Sequence, residues 1–305
     1  MRVVIDTDPG VDDAVAILLA LASPELDVVA LTTVVGNVSL AKTTLNARRL
    51  VELARRADVV VAAGCSRSLA GAVTHEGSVH GEDGLGDLSW DEPAVRVADE
   101  HAVDLMWRLA RDSPLTLVAI GPLTNVATLL ERYPEAANVV ERVVVMGGAS
   151  FEGNVSPAAE FNVWADPEAA ARVFGAGWPV TIMPLDLTHQ ATLGPDDVAA
   201  LRAMGTSVGV RVAGMLERYA DFHDGRYGHR RVIMHDATAV YELIDPTAIT
   251  TQGVAVTVET AGEHSRGATW FDRRRDHANS PVRVGVSLDN DRFVATVLER
   301  LASYA

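Results

Sequence analysis

The feature that most constrains the fold is a regular alternation of short, apolar, β-branched segments with longer segments of helical periodicity. Strands are predicted at 3–6, 28–33, 59–62, 115–120, 142–146 and 180–184. Helices are predicted between them, at 12–22, 40–57, 101–111, 123–132 and 167–174. Several strand segments are apolar at almost every position, which is typical of parallel strands buried on both faces. The pattern therefore predicts an α/β fold with an open, mostly parallel, doubly wound sheet.

The last third of the chain is richer in helix. Helices are predicted at 195–204, 208–219, 237–244 and 289–303, with strands at 254–258, 268–272 and 282–286. We find no internal repeat and no linker, so a single domain over residues 1–305 is predicted, although the length alone would also suit two. Two long glycine-rich loops, 70–87 and 147–157, are candidates for function because such loops are uncommon inside a compact domain.

Carboxylates are concentrated just after the first predicted strand, in the segment Asp-Thr-Asp-Pro-Gly-Val-Asp-Asp at 6–13. In open α/β sheets, ligands bind beyond the carboxyl ends of the strands, so this is where chemistry is expected. Helix capping and the helix dipole favour acidic residues in a first turn, which would explain one or two of the four carboxylates. Four like charges need a cation among them, and the only lysine of the chain is Lys42. Ligation by carboxylates alone indicates calcium or magnesium.

The same segment resembles the N-terminal signature of the inosine-uridine preferring nucleoside hydrolase family, Asp-x-Asp-Pro-Gly-x-Asp-Asp. Further landmarks of that family follow in the same order, at 34–37, 80–86, 120–125, 153–162 and 235–237. The resemblance spans most of the chain. It implies a catalytic domain that uses Ca²⁺ to hydrolyse the N-glycosidic bond of ribonucleosides, releasing the free base and ribose.

The resemblance also implies which groups hold the metal. These are the carboxylates of Asp8, Asp13 and Asp236 and the main-chain carbonyl of Ile120. Ribose hydroxyls and water would complete a shell of about 6–8 oxygens. Asp8 would in addition be the base that deprotonates the attacking water. The alternative for Asp236 is a purely structural role as the N-cap of the helix that follows it.

The substrate-binding residues that the resemblance implies are Asp12, Asn37, His80, Asn154, Glu160, Phe161 and Asn162. Asp12, Asn154, Glu160 and Asn162 would recognise the ribose hydroxyls, Asn37 would lie near the metal-bound water, His80 would contact the sugar or the base, and Phe161 would line the pocket. Three of them have structural alternatives: Asn154 as a turn residue, Phe161 as an anchor of its loop, and His80 as a structural histidine.

The leaving base needs a proton, because departure from an oxocarbenium-like transition state leaves negative charge on it. His235 resembles the general acid of the family members that use histidine. The segment 219–231 resembles the helix and loop that close over the base, and the spacing of Tyr227 from His235 is similar to that of pyrimidine-preferring members. A surface role for the aromatic residues of this segment is an equal alternative, and the roles of His223, Tyr227 and His229 in base recognition stay open at this point.

Two other functions compete with nucleoside hydrolysis. A haloacid-dehalogenase-type phosphatase also has Asp-x-Asp after its first strand, but its chemistry uses a lysine from a later motif, and Lys42 comes too early. A non-catalytic calcium-dependent nucleoside-binding protein would need the metal ligands but neither Asp8 as a base nor His235 as an acid.

Charge and composition exclude further classes. A net charge of −15 argues against a nucleic-acid partner, and no apolar run reaches the roughly 18 residues of a membrane span. The N-terminal segment does not have the pattern of a secretory leader, and the single cysteine, Cys65, fits a reducing compartment. A cytoplasmic enzyme with a small-molecule ribonucleoside substrate is therefore expected, and the resemblance adds a homodimer or homotetramer.

Overall fold

The structure, a computed structural model, describes residues 1–72 and 79–304 of the 305-residue chain. The predicted loop at 70–87 thus lies partly outside the described residues. The strands are β1 (Arg2–Thr7), β2 (Asp27–Thr33), β3 (Val60–Ala63), β4 (Leu115–Ala119), β5 (Val140–Met146), β6 (Val180–Met183), β7 (Thr192–Leu193), β8 (Val232–Ile233), β9 (Ile249–Gly253), β10 (Ala255–Val258), β11 (Thr269–Asp272) and β12 (Val282–Leu288).

The helices cover much of the remaining chain. They are α1 (Val11–Leu21), α2 (Leu40–Leu53), α3 (Ala102–Asp112), α4 (Thr124–Arg132), α5 (Ala136–Val139), α6 (Phe161–Ala165), α7 (Pro167–Phe174), α8 (Leu185–Thr188), α9 (Pro195–Ala203), α10 (Ser207–Tyr227), α11 (Ala237–Ile244) and α12 (Asn290–Ala302). Within the described residues, no helix is both long enough and apolar enough to cross a membrane.

Eight strands form one central sheet in the order β3-β2-β1-β4-β5-β6-β12-β9. All neighbours are parallel except β9, which runs antiparallel along the edge of β12. The predicted α/β class with a mostly parallel sheet is confirmed. Because β1 lies between β2 and β4, the strand order changes direction there. The crevice beyond the carboxyl ends of β1 and β4 is therefore the expected ligand site.

The sheet is covered on both faces, since alternate side chains of a strand point to opposite sides. Val3 and Ile5 belong to the core shared with α1, α2 and α9–α12, whereas Val4 belongs to the core shared with α3, α4 and α7. All eleven residues of α1 are buried, because it packs against α10, α11 and α12 as well as the sheet. The first residues of α1, which carry Asp12 and Asp13, are therefore held from several sides.

The structure differs from the sequence prediction mainly in the last third. Helix α10 continues to Tyr227, two turns beyond the predicted end, and stops at Gly228, whose φ of 73° is the left-handed conformation of a helix C-cap. The edge strand β9 and the small β7–β8 pair were not predicted. The strands predicted at 254–258 and 268–272 form a separate antiparallel pair, β10–β11. The extension of α10 matters for function, because its last turns lie beside the crevice.

Candidate active site

The acidic segment occupies the junction between β1 and α1, as the strand-end argument predicts. Gly10 is the N-cap of α1, and the Asp13 carboxylate accepts hydrogen bonds from the Gly10 amide at 2.9 Å and from the Thr7 hydroxyl at 2.5 Å. Helix capping thus accounts for Asp13 in part and for neither Asp8 nor Asp12. Asp6 is separate from the others: its Oδ1 accepts hydrogen bonds from Thr32 and Asn125 inside the sheet.

Asp8 is enclosed by backbone. Its Oδ2 accepts a hydrogen bond from the Asn37 amide at 2.6 Å, whereas its Oδ1 is buried and has no hydrogen-bond partner among the described residues. A Cβ atom added to Gly36 would lie 2.0 Å from Oδ2, and one added to Gly121 would lie 2.6 Å from Oδ1. Only glycine fits at these two positions while the carboxylate keeps its place. One oxygen of Asp8 is thus left for a ligand, since a buried unpaired acceptor is costly.

Asp236 does not cap its helix. The residue stands at the N-cap position of α11 with a helical backbone, and its side chain makes no capping hydrogen bond. The structural alternative for Asp236 is therefore wrong. Its carboxylate instead joins those of Asp12 and Asp13, with one oxygen of each lying within 4.8 Å of the other two. The three closest carboxylates thus include Asp12, which the resemblance assigned to the sugar. Asp8 is linked to this group by Asn37, which forms hydrogen bonds with both Asp8 and Asp13.

The electrostatics of these four carboxylates favour a bound cation. Burial and the neighbouring carboxylates raise the pKa of Asp8 and of Asp236 well above the usual value, and they raise the pKa of Asp12 to about 8. Within the described part of the chain, no lysine or arginine forms an ion pair with any of them. A hard dication would remove this repulsion, and the donor set, all oxygen, suits calcium or magnesium. The residues present therefore fit such an ion.

Two asparagines add acceptors to the same site. Asn162 Nδ2 donates to the carbonyl oxygens of Ile120 (2.9 Å) and Met146 (3.1 Å), and Asn37 Nδ2 donates to Asp8 O (3.2 Å) and Asp13 Oδ2 (3.1 Å). Because the amide donors point into the protein, each side chain leaves its carbonyl oxygen for the cavity. The site is therefore rich in acceptors, which suits hydroxyl groups that donate.

Two of the four carboxylates, Asp12 and Asp236, line a cavity of about 230 Å³. The predicted site residues that line it are Asp12, Asn37, His80, Ile120, Asn154, Glu160, Phe161, Asn162, Tyr227, His235 and Asp236. Asp8 and Asp13 are not among its lining residues and are buried next to Asp12 and Asn37. The other lining residues are Tyr219, Phe222, His223 and Arg226, which belong to the segment predicted to close over the base, and Val79, Met146 and Val155, which were not predicted as site residues. The spacing 219, 222, 223, 226 and 227 places the four residues of that segment and Tyr227 on one face of a helix, whereas Val79, Met146 and Val155 have no comparable signal in the sequence.

Glu160 and Asn154 also hold the loop at 147–157 in place. The Glu160 carboxylate caps α6 by accepting hydrogen bonds from the amides of Asn162 and Val163, and it accepts a third from Gly148. Asn154 Oδ1 accepts a hydrogen bond from the Phe161 amide at 2.8 Å, which leaves its Nδ2 as a donor. These residues therefore shape one wall of the cavity as well as lining it.

His80 and His235 each have Nδ1 occupied by a protein group. The Val11 amide donates to His80 Nδ1 at 3.1 Å, and burial lowers the pKa of His80 to about 4. His80 is therefore neutral, and its 3.8 Å approach to Asp12 is not an ion pair. His235 Nδ1 lies 2.7 Å from the Thr188 hydroxyl, and burial and the nearby histidines hold the pKa of His235 well below its usual value.

The end of α10 supplies the aromatic wall. His223 donates from Nδ1 to Tyr219 O (3.0 Å) and accepts from the Ile233 amide at Nε2 (3.3 Å), so both ring nitrogens are used inside the protein. Burial lowers the pKa of His223 to about 4. Tyr227 is 36% exposed, and its ring stacks on His229 with 5.9 Å between centroids. His223 is thus a structural residue of this wall, whereas Tyr227 lies at the mouth of the cavity.

Known proteins resemble the chain over its whole length. The profile of the family "Inosine-uridine preferring nucleoside hydrolase" matches residues 3–295. The pyrimidine-specific ribonucleoside hydrolases RihA of Escherichia coli O9:H4 (strain HS) and of Salmonella gallinarum (strain 287/91 / NCTC 13346) are each 41% identical over 309 residues, covering 100% of this chain and 99% of the relative.

Solved structures agree with this assignment. A plant nucleoside hydrolase, PpNRh1, superposes with a TM-score of 0.94 at 36% identity and covers 99% of both chains. A purine-preferring ribonucleoside hydrolase from Gardnerella vaginalis superposes with a TM-score of 0.93 at 31% identity, covering 100% of this chain and 99% of the other. The chain therefore belongs to the inosine-uridine preferring nucleoside hydrolase family, and it is a ribonucleoside hydrolase.

Proposed function

We propose that the enzyme depends on calcium and that Asp8, Asp13, Asp236 and the carbonyl of Ile120 hold the ion, with Asp12 beside them. The observation that carries this proposal is the group of four buried carboxylates, none of which forms an ion pair with a lysine or arginine among the described residues. Bound calcium would supply a charge that orients the ribose diol and makes a water molecule easier to deprotonate.

The sugar is bound by acceptors in this proposal. Asp12, Asn37 and Asn162 line the cavity, and the Nδ2 groups of the two asparagines donate to the protein, so the Asp12 carboxylate and the two side-chain carbonyl oxygens are the acceptors for the hydroxyl protons of a ribose ring. Asn154 Nδ2 and the Nε2–H of neutral His80 are the donors, suited to the oxygen atoms of the sugar or base. The carboxylates also stabilise the positive charge that develops on the ring in an oxocarbenium-like transition state.

Bond cleavage requires a base and an acid. The unpartnered Oδ1 of Asp8 takes a proton from the attacking water, whose oxygen bonds to the anomeric carbon. The glycosidic electron pair leaves with the nucleobase, which receives a proton from His235. Since the pKa of His235 lies well below its usual value, the imidazolium form is scarce at neutral pH and is a strong acid when it forms.

Pyrimidine ribosides are the proposed substrates. The support is that the relatives at 41% identity are named pyrimidine-specific and that Tyr227, whose spacing from His235 is similar to that of pyrimidine-preferring members, lines the cavity. The purine-preferring structure is less similar, at 31% identity. A comparison of kcat/KM for uridine, cytidine, inosine and adenosine tests this preference, and a higher value for inosine than for uridine would contradict it.

Ribose release with and without calcium tests the main proposal. Exhaustive chelation is expected to abolish release of ribose from uridine, and added calcium is expected to restore it; full turnover in chelator would refute the metal dependence. Binding without turnover would point to the nucleoside-binding alternative, and phosphate release from a phosphomonoester would point to the phosphatase. The cytoplasmic location and the homodimeric or homotetrameric assembly stay predictions.

A further inference from the structure

Arg226 is the only arginine or lysine that lines the cavity in the described part of the chain. It belongs to the last turn of α10, and its side chain is exposed. Its Nη2 donates a hydrogen bond to the carbonyl oxygen of Asn154 at 3.0 Å, and its Cζ lies 5.6 Å from the centroid of the Tyr227 ring. These two contacts hold the guanidinium beside the aromatic wall of the cavity.

Most of the hydrogen-bond donors of Arg226 are unused. A guanidinium carries five N–H groups in one plane and has no acceptor. Among the described residues, Arg226 makes one hydrogen bond, to Asn154, and no ion pair with a carboxylate. Arg230, four residues further on, instead contacts Asp221 Oδ1 at 2.7 Å. The remaining donors of Arg226 are therefore available to an acceptor on the ligand.

Helix α10 gives a measure of how far Arg226 lies from the sugar. Tyr219 marks the deep end of the cavity, because its ring centroid is 5.3 Å from that of His80, and His80 Nδ1 is 3.8 Å from Asp12 Oδ1. Two turns of helix separate Tyr219 from Arg226, which is roughly 10 Å along the axis. With the ribose against the carboxylates, Arg226 therefore stands toward the part of the base that is farthest from the sugar.

The far end of the base differs between nucleosides in a way that a guanidinium distinguishes. Position 4 of a pyrimidine lies opposite the glycosidic nitrogen; it carries a carbonyl oxygen in uracil and an amino group in cytosine. Position 6 of a purine likewise carries a carbonyl oxygen in hypoxanthine and an amino group in adenine. Because a guanidinium only donates, it pairs with the carbonyl oxygen, whereas it meets the amino group donor to donor.

We propose that Arg226 is a specificity-determining residue that favours nucleosides with a carbonyl oxygen at this far position over those with an amino group. The inference rests on the proposed placement of the ribose against the carboxylates and is independent of the choice between pyrimidines and purines. The contact strengthens during the reaction. As the C–N bond breaks, its electron pair passes into the base, and in uracil the charge is shared with the 4-oxygen. Arg226 stabilises that oxygen by hydrogen bonding and transfers no proton.

The test compares Arg226→Gln with the wild type on uridine, cytidine, inosine and adenosine, so that ring size and the far substituent vary separately. The wild type is expected to have the higher kcat/KM on uridine than on cytidine and on inosine than on adenosine. Arg226→Gln should lower both ratios about tenfold, which is the value of one charge-assisted hydrogen bond near solvent. Arg172→Gln, at an exposed arginine of α7 that pairs with Glu131, is the matched control and should leave both ratios unchanged.

Two results would overturn the proposal. One is a wild type that prefers cytidine and adenosine, or ratios that Arg226→Gln does not change. The other is an equal loss on all four nucleosides, which would show that Arg226 acts only through its bond to Asn154. A wild type that prefers inosine to uridine would instead contradict the proposed pyrimidine preference, and the two ratios would still judge Arg226.

Inhibition by the free bases gives a measurement that does not depend on bond cleavage. Arg226→Gln should weaken inhibition by uracil several-fold more than inhibition by cytosine, because only uracil has a carbonyl oxygen at position 4. An equal change for the two bases would contradict the assignment.

Discussion

The two halves of the cavity are built in different ways. In the proposed function, the ribose half is lined by Asp12, Asn37 and Asp236, with Asp8 and Asp13 buried next to them; these residues lie at strand ends and helix starts, and all five side chains are buried. The base half consists of Tyr219, Phe222, His223, Arg226 and Tyr227, all from the last turns of α10. The exposed fraction is 1% at His223 and 36% at Tyr227.

This difference separates the reaction from the choice of base. The ribose half is held by hydrogen bonds from the backbone and by the central sheet, so we expect its geometry to be the same with every nucleoside. The base half depends on one helix end, which contacts solvent. We therefore expect changes in the ribose half to affect all substrates equally and changes in the base half to affect substrates unequally.

The largest effect is expected from Asp13→Asn, which removes one charge from the ribose half. The loss in kcat/KM should be roughly 10³-fold or more on uridine and on p-nitrophenyl riboside alike. The reason is that the proposed metal site acts on the ribose and the attacking water and not on the leaving group. Asp291→Asn, at an exposed acid of α12, is the matched control and should leave activity unchanged. A loss on only one of the two substrates would break the comparison.

His235→Ala should give the next largest effect, and it should depend on the leaving group. Turnover of inosine should fall about 10²-fold, whereas p-nitrophenyl riboside should be nearly unaffected, since its leaving group needs no proton. His264→Ala, at an exposed histidine away from the cavity, serves as the control. Similar losses on both substrates would place His235 in the ribose half.

A third prediction concerns the stability of the base half. The folded-state pKa of His223 is about 4, below the ordinary value of 6.5, so the unfolded chain binds the proton more readily. His223 therefore makes its whole contribution to the free energy of unfolding above pH 6.5. This contribution, on the order of 2 kcal/mol, is lost as the pH falls from 6.5 to 4. Denaturant unfolding at several pH values should show a shallower fall for His223→Gln; an identical fall would show that the residue does not titrate in this range.

The smallest effect is expected from Tyr227→Ala, at the cavity mouth. It should change the ratio of kcat/KM for uridine and inosine by about fivefold, which corresponds to about 1 kcal/mol, the usual value of one partly exposed aromatic contact. Trp270→Ala removes another exposed aromatic side chain and should leave the ratio unchanged. A uniform loss on both nucleosides would mean that Tyr227 acts on the common chemistry and not on the base.

Sequence reasoning predicted the position of the acidic cluster because its cause is local. Apolar runs identify the parallel strands, their carboxyl ends share one edge, and the acids that follow β1 must therefore lie in the crevice. The same reasoning could not show that Asp12, rather than Asp8, belongs to the tightest carboxylate group, since that depends on how the first turn of α1 faces α11.

The base half was harder to predict for a physical reason. The segment after Tyr219 has weak apolar periodicity, because one face lines a cavity and the other meets solvent, so the helix was predicted to end there. The contact between Thr188 and His235 joins residues 47 positions apart in the chain and has no local pattern. The edge strand β9 was missed because its exposed positions interrupt the apolar run.

The close packing of Gly36 and Gly121 on Asp8 has a consequence for how this enzyme tolerates change. Neither glycine offers a functional group, yet even a methyl group at either would displace a carboxylate oxygen. In a saturation screen these two positions should behave like catalytic residues while making no contact with any nucleoside. The shape of the site thus constrains two positions because any side chain there would displace the Asp8 carboxylate.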